Sequence, residues 1–273
     1  MGLSVFGSPL LKMFDYHLHT KVSYDSENQP EDMVQAALKA GLKEICFTDH
    51  RDYDPLDPDR QIRFTTEDYA AAYDHLQADG LKIRRGFEFG MLRDNAEQLR
   101  KDVQQRDYDF VIGSVHFVDN LDPYFDPFWQ GKTMDGAETM YLEHILECVQ
   151  AHENFDVLGH LTYLSKAWAN PTHRPIEYKK YREIVDEILK VLAQKGKGIE
   201  CNTSGLDPCG VFLPSEDYLR RFKELGGEIV TVGSDAHTVD RVGQYTHEAC
   251  KVVCDIFGYV CTFEERKPIF HKV

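Results

Sequence analysis

The feature that most narrows the folds open to this chain is an alternation: seven short β-forming runs, each followed by a stretch with helical spacing. A parallel sheet with crossover helices is what such a pattern builds. The expected strands are Met13 to His17, Glu44 to Thr48, Lys82 to Phe89, Phe110 to Val115, Val157 to His160, Gly198 to Asn202 and Glu228 to Ser234. The expected helices are Pro30 to Ala40, Thr66 to Ala78, Asn95 to Gln105, Gly136 to His152, Tyr178 to Gln194, Ser215 to Leu225 and Gln244 to Phe257. In the fifth helix Tyr181, Ile184, Val185, Ile188, Leu189 and Leu192 recur every three or four residues, which makes one face apolar. Gly196 follows where a glycine ends a helix. Pro30 with Glu31 and Asp32, and Ser215 with Glu216 and Asp217, put helix-starting residues and negative charge on first turns.

Seven such units without a linker or compositional break favour a closed barrel over an open sheet, and 273 residues match the roughly 250 of one (β/α) barrel. A single domain over residues 1–273 is therefore expected. The chain is 42% hydrophobic and 12% aromatic, enough to fill the core that a barrel needs. Two connections are long, Asp52 to Thr65 and Phe117 to Asp135, and are rich in Pro, Asp and aromatic residues. Both follow strands, so both belong over the face where the strands end, where loops carry function.

Donor side chains gather at those strand ends. The first strand supplies His17 and His19, the second Asp49 and His50, the third Glu88, the fourth His116, the fifth His160 and the seventh Asp235 and His237; the sixth ends in Asn202, a weak ligand. Residues at i and i+2 of a strand share a face, so His17 with His19, and Asp235 with His237, can each converge on one centre. A lone histidine at a strand end is usually a hydrogen-bonded structural residue. Six strand ends that all carry strong donors form a metal cluster, because barrel geometry brings them to one mouth. Imidazole and carboxylate suit zinc, iron or manganese, and the lack of cysteine among them argues against a closed structural zinc site. His75, His144, His152, His173, His247 and His271 fall in helices or loops and read as surface or structural.

Forty-six acidic residues against 31 basic ones leave a net charge of -15, which repels a nucleic-acid backbone. Any anionic substrate is expected to be small and drawn in by bound cations. The seven cysteines contain no CxxC pair and read as reduced thiols; Cys250, Cys254 and Cys261 lack a fourth partner for zinc. Met1 to Leu11 lacks the order of a signal peptide, and no apolar run reaches about 18 residues, so a soluble cytoplasmic protein with no membrane contact is expected.

Taken together, His17-Leu-His19 with Ser23 and Asp25, Thr48-Asp49-His50, Glu88, Ser114-Val115-His116, Gly159-His160 and Gly233-Ser234-Asp235-Ala236-His237 resemble the polymerase and histidinol phosphatase (PHP) superfamily. The likeness runs from about Asp15 to the end of the chain. Asn202-Thr203-Ser204-Gly205 is most similar to the stand-alone histidinol-phosphate phosphatases of that superfamily. The resemblance implies a distorted, seven-stranded TIM-like (β/α) barrel holding two to three divalent ions. By the same resemblance His17, His19, Glu88 and Asp235 hold the first, Glu88, His116 and His160 the second, and Asp25, His50 and His237 the third. Glu88, Asp235 and His237 are then the catalytic positions, and the implied reaction is hydrolysis of a small phosphomonoester by metal-activated hydroxide.

Asn202, Lys166 and Arg51 are the candidate substrate-binding residues, and Arg93 and Arg174 are further candidate cations for the phosphate. The histidinol-phosphate group tends to carry an arginine after the Thr-Ser-Gly segment. Here Leu206 and Asp207 follow instead, and Leu161-Thr162-Tyr163-Leu164-Ser165-Lys166 after His160 keeps one positive charge. Asp207 near the phosphate pocket would disfavour a dianion or meet a cationic amine such as that of histidinol. The other readings are a related phosphoesterase acting on a nucleotide or short oligonucleotide, and a non-catalytic metal-binding module.

Overall fold

A computed structural model of the chain describes residues 13–60 and 62–272. The segment Met1 to Leu11, read above for the absence of a leader, lies outside them. The elements in order are β1 (Phe14–Leu18), α1 (Pro30–Lys39), β2 (Glu44–Phe47), β3 (His50–Arg51), α2 (Thr66–Tyr73), β4 (Lys82–Gly90), α3 (Ala96–Asp102), β5 (Phe110–Ser114), α4 (Asp126–Trp129), α5 (Met134–Ala151), β6 (Val157–Leu158), α6 (Arg182–Gln194), β7 (Gly198–Asn202), α7 (Leu206–Cys209), α8 (Glu216–Glu224), β8 (Val230–Gly233), α9 (Thr246–Phe257), β9 (Tyr259–Glu264) and β10 (Lys267–Lys272).

The strands β1-β2-β4-β5-β6-β7-β8 lie side by side in that order, all parallel, with β3 paired to the end of β4. Strands β5, β6 and β8 are buried on both faces and carry mainly apolar runs, whereas β1 alternates Phe14, Tyr16 and Leu18 with Asp15 and His17. The fully buried Phe47, Phe87, Phe110 and Phe222 fill the barrel and the layer beneath its helices. Each such ring contributes about 1.5–3 kcal/mol by leaving water. The sheet closes on itself through one parallel bridge, Leu18 to Ala236, with the His19 N–H donating to the Ala236 carbonyl at 2.9 Å and the Ala236 N–H to that of His17 at 3.3 Å. The result is the distorted, seven-stranded TIM-like barrel expected from the motifs.

Two departures from the sequence reading have physical causes. Strand β6 ends at Leu158 instead of running to His160, because the His160 N–H donates to the Glu200 carboxylate at 2.9 Å and leaves the ladder. Second, the C-terminal residues form an unexpected antiparallel hairpin, β9 with β10, turning at Glu265 and Arg266 with φ of 49° and 62°. Glu-Arg is not a usual signal for a turn that needs left-handed backbone. The hairpin covers the barrel end opposite the donor cluster: Phe263 packs on Phe110, and the Arg266 N–H donates to the carbonyl of Asp109, ahead of β5, at 2.9 Å. Among the described residues no helix is long and apolar enough to cross a membrane, and no cysteine joins a group of three donors able to hold a metal.

Candidate metal centre

Strand geometry aims the donors. In β1, Asp15 and His17 face inward and His19 continues that face just past the strand; all three are fully buried. Asp15 lies deepest and ties β1 to the loop after β8, accepting the Ser234 and Gly243 N–H groups at 2.8 and 2.9 Å. Two glycines make room. A Cβ on Gly159 would lie 2.3 Å from the Ser114 hydroxyl, and one on Gly233 would lie 2.2 Å from a Glu200 oxygen and 2.4 Å from the His17 Cβ. Asp235 adopts a left-handed φ of 56°, a conformation that costs a non-glycine residue about 1–3 kcal/mol and collects at functional sites. It turns the Asp235 carboxylate toward His17 and His19 while Ala236 bridges to β1.

Glu88, fully buried on β4, sits among five imidazoles. Its Oε2 lies 3.3 Å from His17 Nε2, 3.6 Å from His19 Nε2 and 3.2 Å from His50 Nδ1. Its Oε1 lies 2.9 Å from His160 Nε2, 3.3 Å from His116 Nε2 and 2.5 Å from the Ser114 hydroxyl. Asp235 Oδ1 is 3.7 Å from His17 Nε2 and 3.4 Å from His19 Nε2. Asp25, from the loop after β1, places Oδ2 3.3 Å from His50 Nε2 and 3.1 Å from His237 Nε2.

These distances are short, yet His17 Nε2, His19 Nε2, His50 Nδ1 and Glu88 Oε2 are buried without a hydrogen-bond partner. A buried unsatisfied polar group costs about 1–3 kcal/mol, and four that converge fit a cation that accepts their lone pairs together. The donors fall into four groups, each with its atoms within 4.8 Å of one another: His17, His19 and Glu88; His17, His160 and Asp235; His50, Glu88 and His116; and His19, Asp25, His50 and His237.

Behind the donors a second layer fixes the rings. His17 Nδ1 meets Glu200 Oε1 at 2.7 Å, His19 Nδ1 meets the Ser23 hydroxyl at 3.1 Å, and His116 Nδ1 meets Asp52 Oδ2 at 2.9 Å. With Nδ1 engaged outward, Nε2 of each ring points to the centre. Burial alone would raise the Glu88 and Asp235 carboxyls, but the surrounding imidazoles, and Lys166 beside Asp235, hold both well below the usual range. Burial lowers His19, helped by His237 and His50, and lowers His160 against the pull of Glu88. Burial opposes charge on His17, His50 and His116 too, but Glu200, Asp25 and Asp52 respectively, with Glu88, outweigh it; His50 rises to about 9 and the other two well above their ordinary value.

The sequence matches the PHP domain family over residues 15–204. The chain belongs to that family. The histidinol-phosphatase of Lactococcus lactis subsp. lactis is 35% identical to this PHP chain over 243 residues, covering 88% of it and 89% of the relative. The "Probable histidinol-phosphatase" of Clostridium acetobutylicum is 31% identical over 263 residues, 95% of this chain and 97% of the other. The crystal structure of the L. lactis histidinol phosphate phosphatase, complexed with zinc, L-histidinol and phosphate, aligns with a TM-score of 0.84 at 33% identity over 94% of this chain and 99% of that one.

This PHP barrel brings His17, His19, Asp25, His50, Glu88, His116, His160, Asp235 and His237 to one mouth. It does not bring Asp49, whose carboxylate is taken up by the Thr20 N–H at 2.7 Å, the Ser23 hydroxyl at 3.1 Å and the Tyr73 hydroxyl. Of the four candidate cations only Lys166 arrives, its ammonium 2.8 Å from the Ser204 hydroxyl and paired with Asp235. Arg51 follows His50 in β3, so as His50 faces the cluster Arg51 faces away; it pairs with Asp102 at 3.0 Å and with Gln105 at 2.7 Å. Arg93 binds Asp119 at 2.9 Å, and Arg174 binds Asp135 at 2.6 Å. Asn202 is committed internally: its Nδ2 donates to Glu200 at 3.0 Å and its Oδ1 accepts from the Ser204 hydroxyl at 2.6 Å. Asp207 does not present a free carboxylate to a substrate, because Arg241 and the Tyr245 hydroxyl, at 2.8 Å, engage it.

Sequence reasoning missed Glu200 and Asp52. A glutamate inside the otherwise apolar Ile199-Glu200-Cys201 run of a buried strand was the available signal for the first. For the second it was an acid two residues beyond His50, on the same side of the chain.

Proposed function

We propose that this chain is a metal-dependent phosphomonoesterase of the histidinol-phosphate phosphatase type, with L-histidinol phosphate as its substrate and two to three divalent ions, zinc, iron or manganese, as its cofactors. One observation carries the reading: three buried imidazole nitrogens left without hydrogen bonds, His17 Nε2, His19 Nε2 and His50 Nδ1, converge on Glu88 Oε2, itself unpartnered, while His116 and His160 approach Oε1. Similarity to the L. lactis enzyme, whose crystal structure contains zinc, L-histidinol and phosphate, supports the substrate and favours zinc.

In this reading His17, His19, Glu88 and Asp235 hold one ion, Glu88, His116 and His160 a second, and Asp25, His50 and His237 a third. Bound there, the ions supply Lewis acidity toward a phosphoryl oxygen and lower the pKa of water. The chain's own contribution is order and charge. Glu200, Ser23 and Asp52 keep three imidazoles turned inward, so that little reorganisation is needed when charge builds on the substrate. Lys166 at the rim offers an ammonium to a phosphate oxygen and exchanges its Asp235 partner for it in part. The Tyr24 ring, 5.3 Å from His50 and half exposed, stands at the mouth, where it can cover an aromatic or imidazole end of a substrate. The net charge of -15 keeps polymeric nucleic acid out of the reading. The reading takes residues 1–273 as one barrel domain and places it in the cytoplasm.

Phosphate release from L-histidinol phosphate is the test, measured on metal-loaded protein beside nucleoside monophosphates, sugar phosphates and a short oligonucleotide. The highest kcat/KM is expected for histidinol phosphate. A clearly higher value for another substrate removes the histidinol assignment and leaves a metal-dependent phosphatase.

A further inference from the structure

Outside the donor cluster, a cavity of about 340 Å³ opens where the loops after β3, β4 and β5 meet helix α5. Its volume falls at the small end of the range of about 300–1,000 Å³ typical of small-molecule sites. Pro55 and Leu92 give it an apolar side, while Arg93, Asp94 and Asp119 bring charges of both signs to its lip. His144 of α5 forms part of the wall and is only 3% exposed, yet neither of its ring nitrogens has a hydrogen-bond partner. A buried imidazole left with an idle donor and an idle acceptor is destabilising unless something fills the space beside it. Burial, with Arg93 nearby, holds the His144 pKa down to about 4, so the ring is neutral under ordinary conditions and offers one N–H and one lone pair.

The lip decides what kind of molecule fits. Arg93 and Asp119 already pair at 2.9 Å, and Glu147 also binds Arg93. A lone anion that takes Arg93 from Asp119 leaves that carboxylate unpaired beside Asp94, and a lone cation that takes Asp119 removes a partner of Arg93. A molecule carrying both charges exchanges the pair for a new partner on each side. The wall is also preformed: Asp119 and Asn120, with φ of 49° and 67°, make a two-residue turn closed by Val118 and Leu121 hydrogen bonds of 2.8 and 3.0 Å. We propose that this cavity is a second ligand site, for a small zwitterion of the α-amino acid class, with its carboxylate on Arg93, its ammonium on Asp94 and Asp119, and a polar side-chain atom on His144. None of these residues belongs to the donor cluster, so the proposal stands apart from the phosphatase reading.

Calorimetry and thermal shift on the metal-loaded protein test it, using each of the twenty common L-amino acids at about 10 mM, with acetate and methylammonium as single-charge probes. At least one amino acid is expected to bind with a dissociation constant of about 1 mM or tighter. Arg93→Ala should weaken that binding by about tenfold or more. His144→Phe should weaken it as well, while the unliganded Tm stays level or rises because an apolar ring replaces an unsatisfied polar one. Turnover without added amino acid should be unchanged in both variants. If His144→Phe does not fold, Arg93→Ala, at an exposed lip, carries the test. The proposal is overturned if no amino acid binds, if either single-charge probe binds as well, or if binding survives the substitutions, which would place it at the metal cluster.

Discussion

Replacing Glu200 by glutamine tests whether the layer behind the donors governs how firmly the metal is held. In the native chain Oε1 accepts from His17 Nδ1 at 2.7 Å, and Oε2 accepts from the His160 N–H at 2.9 Å and from Asn202 Nδ2 at 3.0 Å. Glutamine keeps the shape but has one acceptor oxygen and one NH2 group. If its oxygen serves His17, its NH2 confronts two donors; if it serves the His160 amide, the NH2 confronts the His17 ring. The second arrangement loses one charge-assisted bond and the first loses two; one such bond is worth about 1.5–3 kcal/mol, which corresponds to about ten- to a hundredfold in affinity. Outer-layer substitutions behind metal-binding histidines weaken metal affinity by about the same 10- to 100-fold. Competition against a chromophoric chelator should therefore show weaker binding within that range, and excess metal should restore most of the turnover because every donor is still present. Native metal affinity in Glu200→Gln would refute the reasoning. So would lost turnover that excess metal fails to restore.

Glu88→Gln should lose both metal and activity far more severely than His50→Ala, because Glu88 approaches five imidazoles whereas His50 lies at the edge near Asp25; elemental analysis and steady-state rates compare them, and near-native values for Glu88→Gln would sink the bridging role. Binding of zinc to chelator-stripped protein at neutral pH should release protons. In the metal-free fold His50 has its pKa raised to about 9 by Asp25 and Glu88 against its burial, and His17 and His116 are raised as well, so the rings are charged and must discharge to coordinate. Calorimetry in buffers of different ionisation enthalpy reads that release, and heats independent of buffer would contradict it. Arg51→Ala should destabilise the fold by removing the counter-charge of the buried Asp102 carboxylate, at or below the low end of about 3–5 kcal/mol because Tyr53, Gln98 and Gln105 still donate to it, while KM stays unchanged, since the Arg51 guanidinium faces away from the mouth; thermal melts and kinetics separate the two effects.

The barrel was legible because parallel strands buried on both faces must be short apolar runs, and Phe110-Val111-Ile112 and Val230-Thr231-Val232 announce themselves as such. The cluster was legible because strand periodicity turns spacing into direction, so His17 with His19 needed no knowledge of their neighbours. Partnerships were not. Glu200 meets His17 across 183 residues of sequence, and nothing local to either position encodes the approach. Arg51 shows the converse error, in which charge and proximity in sequence to His50 suggested a phosphate ligand while the alternation of the strand directs it outward. The β9–β10 hairpin escaped notice because its turn uses Glu265 and Arg266 in a conformation those residues seldom adopt.

The closure of the barrel by one bridge, Leu18 to Ala236, has a mechanical meaning. His17 and His19 stand on one lip of that seam and Asp235 and His237 on the other, so a ligand held by both lips works as a clasp where the backbone provides barely a stitch. Folding and cofactor loading are then coupled along a single line of the molecule. Stripped of its clasp, the wall should breathe there first, with the amides of His19 and Ala236 exchanging their protons well before that of Glu88, deep in the opposite side of the cylinder.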